Sequence, residues 1–124
     1  MNQDLADITA LVQTYFDGLY EGDAEKLTSI FHATSALAQS VDGKAVTMSR
    51  DAWLDWVRKR PSGKAQGLER DDHVLALDLV GPTMAFVKVK CQLPPRYFTD
   101  QLSLLKIDGR WQVAQKVFQT EQRG

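Results

Sequence analysis

The chain is expected to fold as α+β, with helices gathered at the front and packed on one face of an antiparallel sheet. Two observations carry this. Apolar residues recur at helical spacing near the start, as Leu5, Ile8, Val12, Tyr15, Phe16 and Leu19, then switch to strand-like alternation from Ser35 onward. Two Asp-Gly pairs, Asp42-Gly43 and Asp108-Gly109, lie between alternating runs. That is the strongest short-range hairpin signal, because both turn positions need positive φ.

Taken in order, the first amphipathic helix ends at Gly22, which supplies a left-handed C′ residue, and Asp23 caps the next helix. This second helix runs from Ala24 to about Phe31 and buries Leu27, Ile30 and Phe31. Ser35 to Met48 forms the first hairpin. Ser49 caps a third helix carrying Trp53, Leu54, Trp56 and Val57, which must stop before Pro61. Pro61 to Gly67 reads as a polar loop. Strands follow at His73 to Val80 and Met84 to Gln92, and Pro94-Pro95 separates them from the final pair. The predicted order is α-α-β-β-α-β-β-β-β, a single domain over 1–124.

At 124 residues and 13.9 kDa the chain should bury roughly two thirds of its unfolded surface, enough for a core without disulfide or metal. A net charge of −1 gives no electrostatic reason to expect nucleic acid or an anionic membrane as partner. No apolar run approaches the roughly 18 residues of a membrane span. Asp4 and Asp7 stand where a signal peptide would carry basic and then apolar residues, so the expected compartment is the cytoplasm. Cys91 is alone and alternates with Ala85, Val87 and Val89, which reads as a core thiol rather than a nucleophile. His32 and His73 have no spaced carboxylate partners, so no metal site is expected, and no phosphate loop or other cofactor motif occurs.

The last hairpin carries the candidate site. With a two-residue turn, Leu104 faces Val113, Leu102 faces Gln115 and Asp100 faces Val117. Asp100 then shares a face with Leu102, Leu104, Trp111 and Val113. Burial there penalises its charged form, so it must either pair with a donor or stay protonated and donate.

Several segments resemble the nuclear transport factor 2-like superfamily: Leu11-Val12-Gln13-Thr14-Tyr15, Glu21-Gly22-Asp23, Ile30-Phe31-His32, and Leu104 through Trp111. Phe31-His32, Ala85-Phe86-Val87-Lys88-Val89 and Asp100-x-Leu102 ahead of Asp-Gly-x-Trp are similar to its lumazine-binding branch, beside the SnoaL-like cyclases. The resemblance covers nearly the whole chain. It implies a cystatin-like cone, with helices on the concave face of a strongly curved sheet and a pocket between. Ketosteroid isomerases of this superfamily hold an oxyanion with a first-helix Tyr and a final-sheet Asp, and move the proton with a separate carboxylate. Tyr15 and Asp100 match the first two positions. Gln39 stands at the third, and it cannot act as a base, which argues against ketosteroid isomerase activity.

The expected pocket is lined by Tyr15, Phe16, Leu19, Trp53, Leu102, Leu104, Trp111 and Val113. Tyr15 and Asp100 clamp a carbonyl or enol oxygen of a mostly apolar or aromatic ligand, and Gln39 adds a polar contact. An alternative is an isomerase, dehydratase or cyclase in which His32 or His73 supplies the base and Tyr15 with Asp100 stabilises the enolate. A third reading is a dimeric interaction module. Apolar Val74, Phe86 and Leu105 on the other sheet face predict a cover there, and a homodimer through that face is the expected one.

Overall fold

In a computed structural model describing residues 2–123, the elements run α1 (Asn2–Glu21), α2 (Ala24–Ile30), β1 (Phe31–Val41), β2 (Lys44–Ser49), α3 (Arg50–Lys59), α4 (Gly63–Gln66), β3 (His73–Val80), β4 (Met84–Leu93), β5 (Arg96–Ile107) and β6 (Arg110–Gln122). This is the expected α+β cone. Its six-stranded curved sheet has the order β2-β1-β6-β5-β4-β3, antiparallel except where β1 runs parallel to β6. The helices pack on the concave face.

Local chemistry explains the boundaries. Gly22 takes φ 66°, and the Asp23 side chain accepts from the Lys26 N–H. Ser49 likewise accepts from the Ala52 N–H at the start of α3. Both Asp-Gly turns have positive φ at both residues, 52° and 78° in the first, 51° and 77° in the second. That conformation twists in the sense of the flanking strands. The core gathers Ile8, Tyr15, Leu27, Phe31, Leu54, Val57, Val87, Val89, Leu102, Leu104 and Val113, each essentially without solvent exposure.

Three details depart from the sequence reading. The loop after Pro61 contains one turn of helix, α4, capped by Ser62 and closed by Gly67 at φ 65°. Here Gly63 is a close-approach residue: a Cβ would meet Leu93 Cδ2 at 2.7 Å and Tyr20 Cδ1 at 3.0 Å. Gly63→Ala should therefore cost about 1–3 kcal/mol in denaturant unfolding, as overpacking of a tight contact does. An unchanged midpoint would show that Tyr20 and Leu93 yield freely.

The second departure is a bulge in β3. Leu75 has no partner in the β3–β4 register, because Val74 pairs with Val89 and Ala76 with Lys88. The extra residue reverses the facing of the strand's first residues. His73 thus lies opposite Lys90 on the outer face instead of sharing a face with Leu77 and Leu79, and Val74 leaves the outer face. The third is a bulge in the final hairpin. Leu104 faces Val113 as expected, but Ser103 faces Gln115, Leu102 faces Lys116 and Asp100 faces Phe118. Ala114 is the extra residue. Beyond it Lys116 and Phe118 turn inward, and Val117 turns outward to 52% exposure.

Candidate functional site

Between α1, α3 and the inner sheet face lies a cavity of about 320 Å³. Phe16, Leu19 and Tyr20 come from α1, Trp53 and Trp56 from α3, and Leu37, Gln39, Val46 and Met48 from the first hairpin. Cys91, Phe98, Asp100, Lys116 and Phe118 complete the sheet wall. The walls are mostly apolar and aromatic, with a small set of converging polar groups.

Those polar groups meet at Asp100, which is 1% exposed. The Tyr15 hydroxyl donates to Asp100 Oδ2 at 2.6 Å, and the Cys91 thiol donates to the same oxygen at 3.6 Å. Lys116 Nζ stands 3.9 Å from it. Asp100 Oδ1 is buried and has no hydrogen-bond partner among the described residues. Lys116 Nζ makes no hydrogen bond among them either. It faces the rings of Trp53 at 4.7 Å, Phe118 at 4.8 Å and Tyr15 at 5.2 Å, contacts that favour a cation.

Burial dominates the electrostatics. It raises the Tyr15 phenol well above its ordinary pKa, with the Asp100 charge adding to the effect, so Tyr15 is a neutral donor. It likewise pushes the Cys91 thiol far up, which makes Cys91 inert as a nucleophile at neutral pH. For Lys116, burial lowers the pKa and the Asp100 charge opposes it, leaving a net lowering. At the mouth, Arg60 and Arg96 lie 4.3 and 5.8 Å from the Trp56 ring centre. Neither forms an ion pair with a carboxylate among the described residues. Burial, then the like charge of Arg96, bring Arg60 down to about 10, which still leaves a cation at neutral pH.

Of the residues expected from sequence, Phe16, Leu19, Gln39, Trp53 and Asp100 lie on the cavity wall. Leu102, Leu104, Trp111 and Val113 do not: they pack beneath it, in the core. Trp111 spends its indole N–H on Asp4 Oδ1 at 3.0 Å, at the start of α1. Tyr15 is also absent from the wall, because its ring packs between Phe16 and Phe31 and its hydroxyl is taken by Asp100. The paired arrangement expected for Asp100 is thus filled from within the chain, by Tyr15. Neither histidine reaches the cavity. His32 Nδ1 contacts Thr34 Oγ1 at 2.8 Å beside its own strand, and His73 Nε2 lies 2.7 Å from Asp71. A base drawn from His32 or His73 is therefore corrected, since both rings are engaged elsewhere.

Sequence reasoning missed much of the wall, including Tyr20, Trp56, Phe98 and Phe118, and among the missed residues Lys116 is the one beside Asp100. Strict alternation from Trp111 and Val113 puts Gln115 and Val117 inward and leaves Lys116 in water. The available signal was Val117-Phe118, two adjacent large apolar residues that cannot both face inward on a regular strand.

Comparison with known proteins places this architecture. The chain is 28% identical over 118 residues to the protein named Aldolase FrzH of Cladobotryum sp, spanning 94% of this chain and 90% of that one. The crystal structure of a nuclear transport factor 2-like protein of Silicibacter pomeroyi superposes with TM-score 0.84 at 23% identity, over 97% of this chain and 98% of that one. A ketosteroid isomerase-like protein of Erwinia carotovora atroseptica superposes with TM-score 0.74 at 14% identity, over 99% and 100%. These two structural likenesses show the fold. The sequence profile of the family described as "Putative lumazine-binding" matches residues 3–119. The chain belongs to that family, and its fold is nuclear transport factor 2-like.

Proposed function

We propose that the cavity binds a small, mostly apolar molecule carrying a carbonyl together with a hydroxyl or enol oxygen. The observation that carries this reading is the pair of unfilled polar valences at its floor. Asp100 Oδ1 is an acceptor without a donor, and Lys116 Nζ is a donor without a hydrogen-bonded acceptor. Leaving an acceptor such as Oδ1 buried and unmatched costs about 1–3 kcal/mol, so a ligand that supplies a donor recovers that energy. A hydroxyl or enol O–H suits Oδ1, and a carbonyl oxygen suits Nζ. The aromatic walls suit a flat body, and an acidic substituent would meet Arg60 and Arg96 at the mouth.

The expected clamp of Tyr15 and Asp100 takes a modified form in this reading. Asp100 and Lys116 contact the ligand, while Tyr15 fixes the carboxyl from behind. Titration with 2-naphthol, followed by quenching of tryptophan fluorescence, tests it. Asp100→Asn should weaken binding by about 1.5–3 kcal/mol, the range for a hydrogen bond to a charged group, which is roughly ten- to a hundredfold. Equal affinity in a folded variant would remove Asp100 as a ligand contact.

A second reading, an enzyme of aldol-type chemistry, is favoured by the likeness to a protein named an aldolase. An aldol product is a β-hydroxy carbonyl, and it bears the two groups that Oδ1 and Nζ lack. For assembly, we propose a homodimer through the outer sheet face, where Val80, Met84, Leu105 and Val117 are exposed. Sedimentation should give twice the 13.9 kDa chain mass, and Leu105→Lys should return it to one. A monomer in the unaltered protein would contradict the dimer.

A further inference from the structure

Lys116 reaches the cavity only because the bulge at Ala114 turns it from the wet face to the dry one. It is 5% exposed, and its amine lies 4.7, 4.8 and 5.2 Å from the ring centres of Trp53, Phe118 and Tyr15. A methionine would fill the same space without placing an amine among rings, and buried charges are often replaced by apolar residues at no loss of stability. The ion pair with Asp100 at 3.9 Å accounts for a charge here but does not require that the pair line a cavity. Desolvation in an apolar pocket is how a lysine is made nucleophilic near neutral pH.

We propose that Lys116 is a covalent site, at which its amine captures the carbonyl carbon of an aldehyde or ketone as an imine. This rests on the reading of the cavity as a carbonyl-binding site, and it extends that reading from recognition to bond formation. The nitrogen lone pair adds to the carbonyl carbon, and the carbon–oxygen π pair moves onto oxygen. Nitrogen loses its protons, the oxygen gains them, and the oxygen departs as water. The products are one imine and one water, and no oxidant or reductant takes part. Asp100 is the group placed to relay the proton, with Oδ2 3.9 Å from Nζ and Oδ1 unengaged. Tyr15 is a positioning residue, since its hydroxyl holds Oδ2 and its ring packs against Phe31 behind the wall. The lowered pKa of Lys116 adds to the fraction of free amine.

The test uses the whole protein, 6-methoxy-2-naphthaldehyde and borohydride, which reduces an imine to a stable secondary amine. Intact mass and peptide mapping then locate the adduct. The expected result is a single adduct on Lys116 at neutral pH. It should form faster there than on exposed Lys88 or Lys90, whose amines stand outside the cavity. Lys116→Arg, which keeps the charge, should abolish it. The corresponding naphthyl alcohol, which cannot form an imine, reports on binding alone. If the alcohol quenches tryptophan fluorescence saturably and Lys116 stays unlabelled, the covalent inference is overturned and the binding reading stands. If neither the alcohol nor the aldehyde occupies the cavity, both fall. Labelling spread evenly over surface lysines, or an adduct that persists in Lys116→Arg, also overturns the inference.

Discussion

Asp100→Leu is expected to destabilise the protein by about 3–5 kcal/mol at neutral pH, the usual cost of removing one partner of a buried charged pair. The substitution strands three groups at once. Tyr15 loses the acceptor at 2.6 Å, Cys91 loses the one at 3.6 Å, and Lys116 loses its counter-charge. Adding Lys116→Met should restore much of the loss, because the stranded ammonium is its largest part. The double-mutant cycle, measured by denaturant unfolding, isolates that coupling. If Lys116→Met rescues nothing, Lys116 is not paired with Asp100 in the folded protein.

The same pair predicts a pH dependence with a definite sign. Lys116 titrates in the folded chain below the 10.5 of a free lysine. Between the folded value and 10.5 the unfolded state binds more protons, so this residue makes stability rise with pH. In Asp100→Leu the carboxylate's support is gone and the Lys116 pKa falls further, so the rise begins at lower pH. Cys91 and Tyr15 act the other way. Their folded pKa values are raised above 9.0 and 10.0, so they make stability fall once the unfolded groups ionise. Comparison is therefore cleanest before the unfolded Cys91 thiol ionises, and Lys116→Met should remove the rising contribution of this residue wherever it appears.

Phe31→Ala is expected to cost about 3–5 kcal/mol, as aromatic truncations in a sealed core do. Phe31 is fully buried at the junction of α2 and β1. Its ring lies 5.0 Å from Trp53 and 5.9 Å from Tyr15, so it supports one wall of the cavity and the tyrosine that holds Asp100. The Arg50 guanidinium also donates to its carbonyl, tying the start of α3 to the same point. The variant should lose stability in unfolding experiments and bind 2-naphthol more weakly. A loss below about 1 kcal/mol would mean that the neighbours collapse into the space.

Much of this was legible in the sequence. Caps at Asp23 and Ser49, the glycine at 22 and the two Asp-Gly turns are local signals, and each acts where it is read. Asp100 was legible because alternation with Leu102 and Leu104 depends only on its own strand. What depends on a neighbouring strand was not. The bulges at Leu75 and Ala114 each add one residue, and one residue reverses every facing beyond it. That reversal moved His73 out and brought Lys116 in. The short helix at Gly63 also escaped notice, since its docking on Tyr20 and Leu93 is a tertiary contact invisible in a polar loop.

The most direct test is a crystal structure of the protein with 2-naphthol. The ring is expected among Trp53, Phe98 and Phe118, with its oxygen within about 2.5–3.2 Å of Asp100 Oδ1 or Lys116 Nζ. A probe bound with that oxygen at the arginine mouth, or a cavity floor on which Oδ1 and Nζ are already bridged by protein groups, would contradict it.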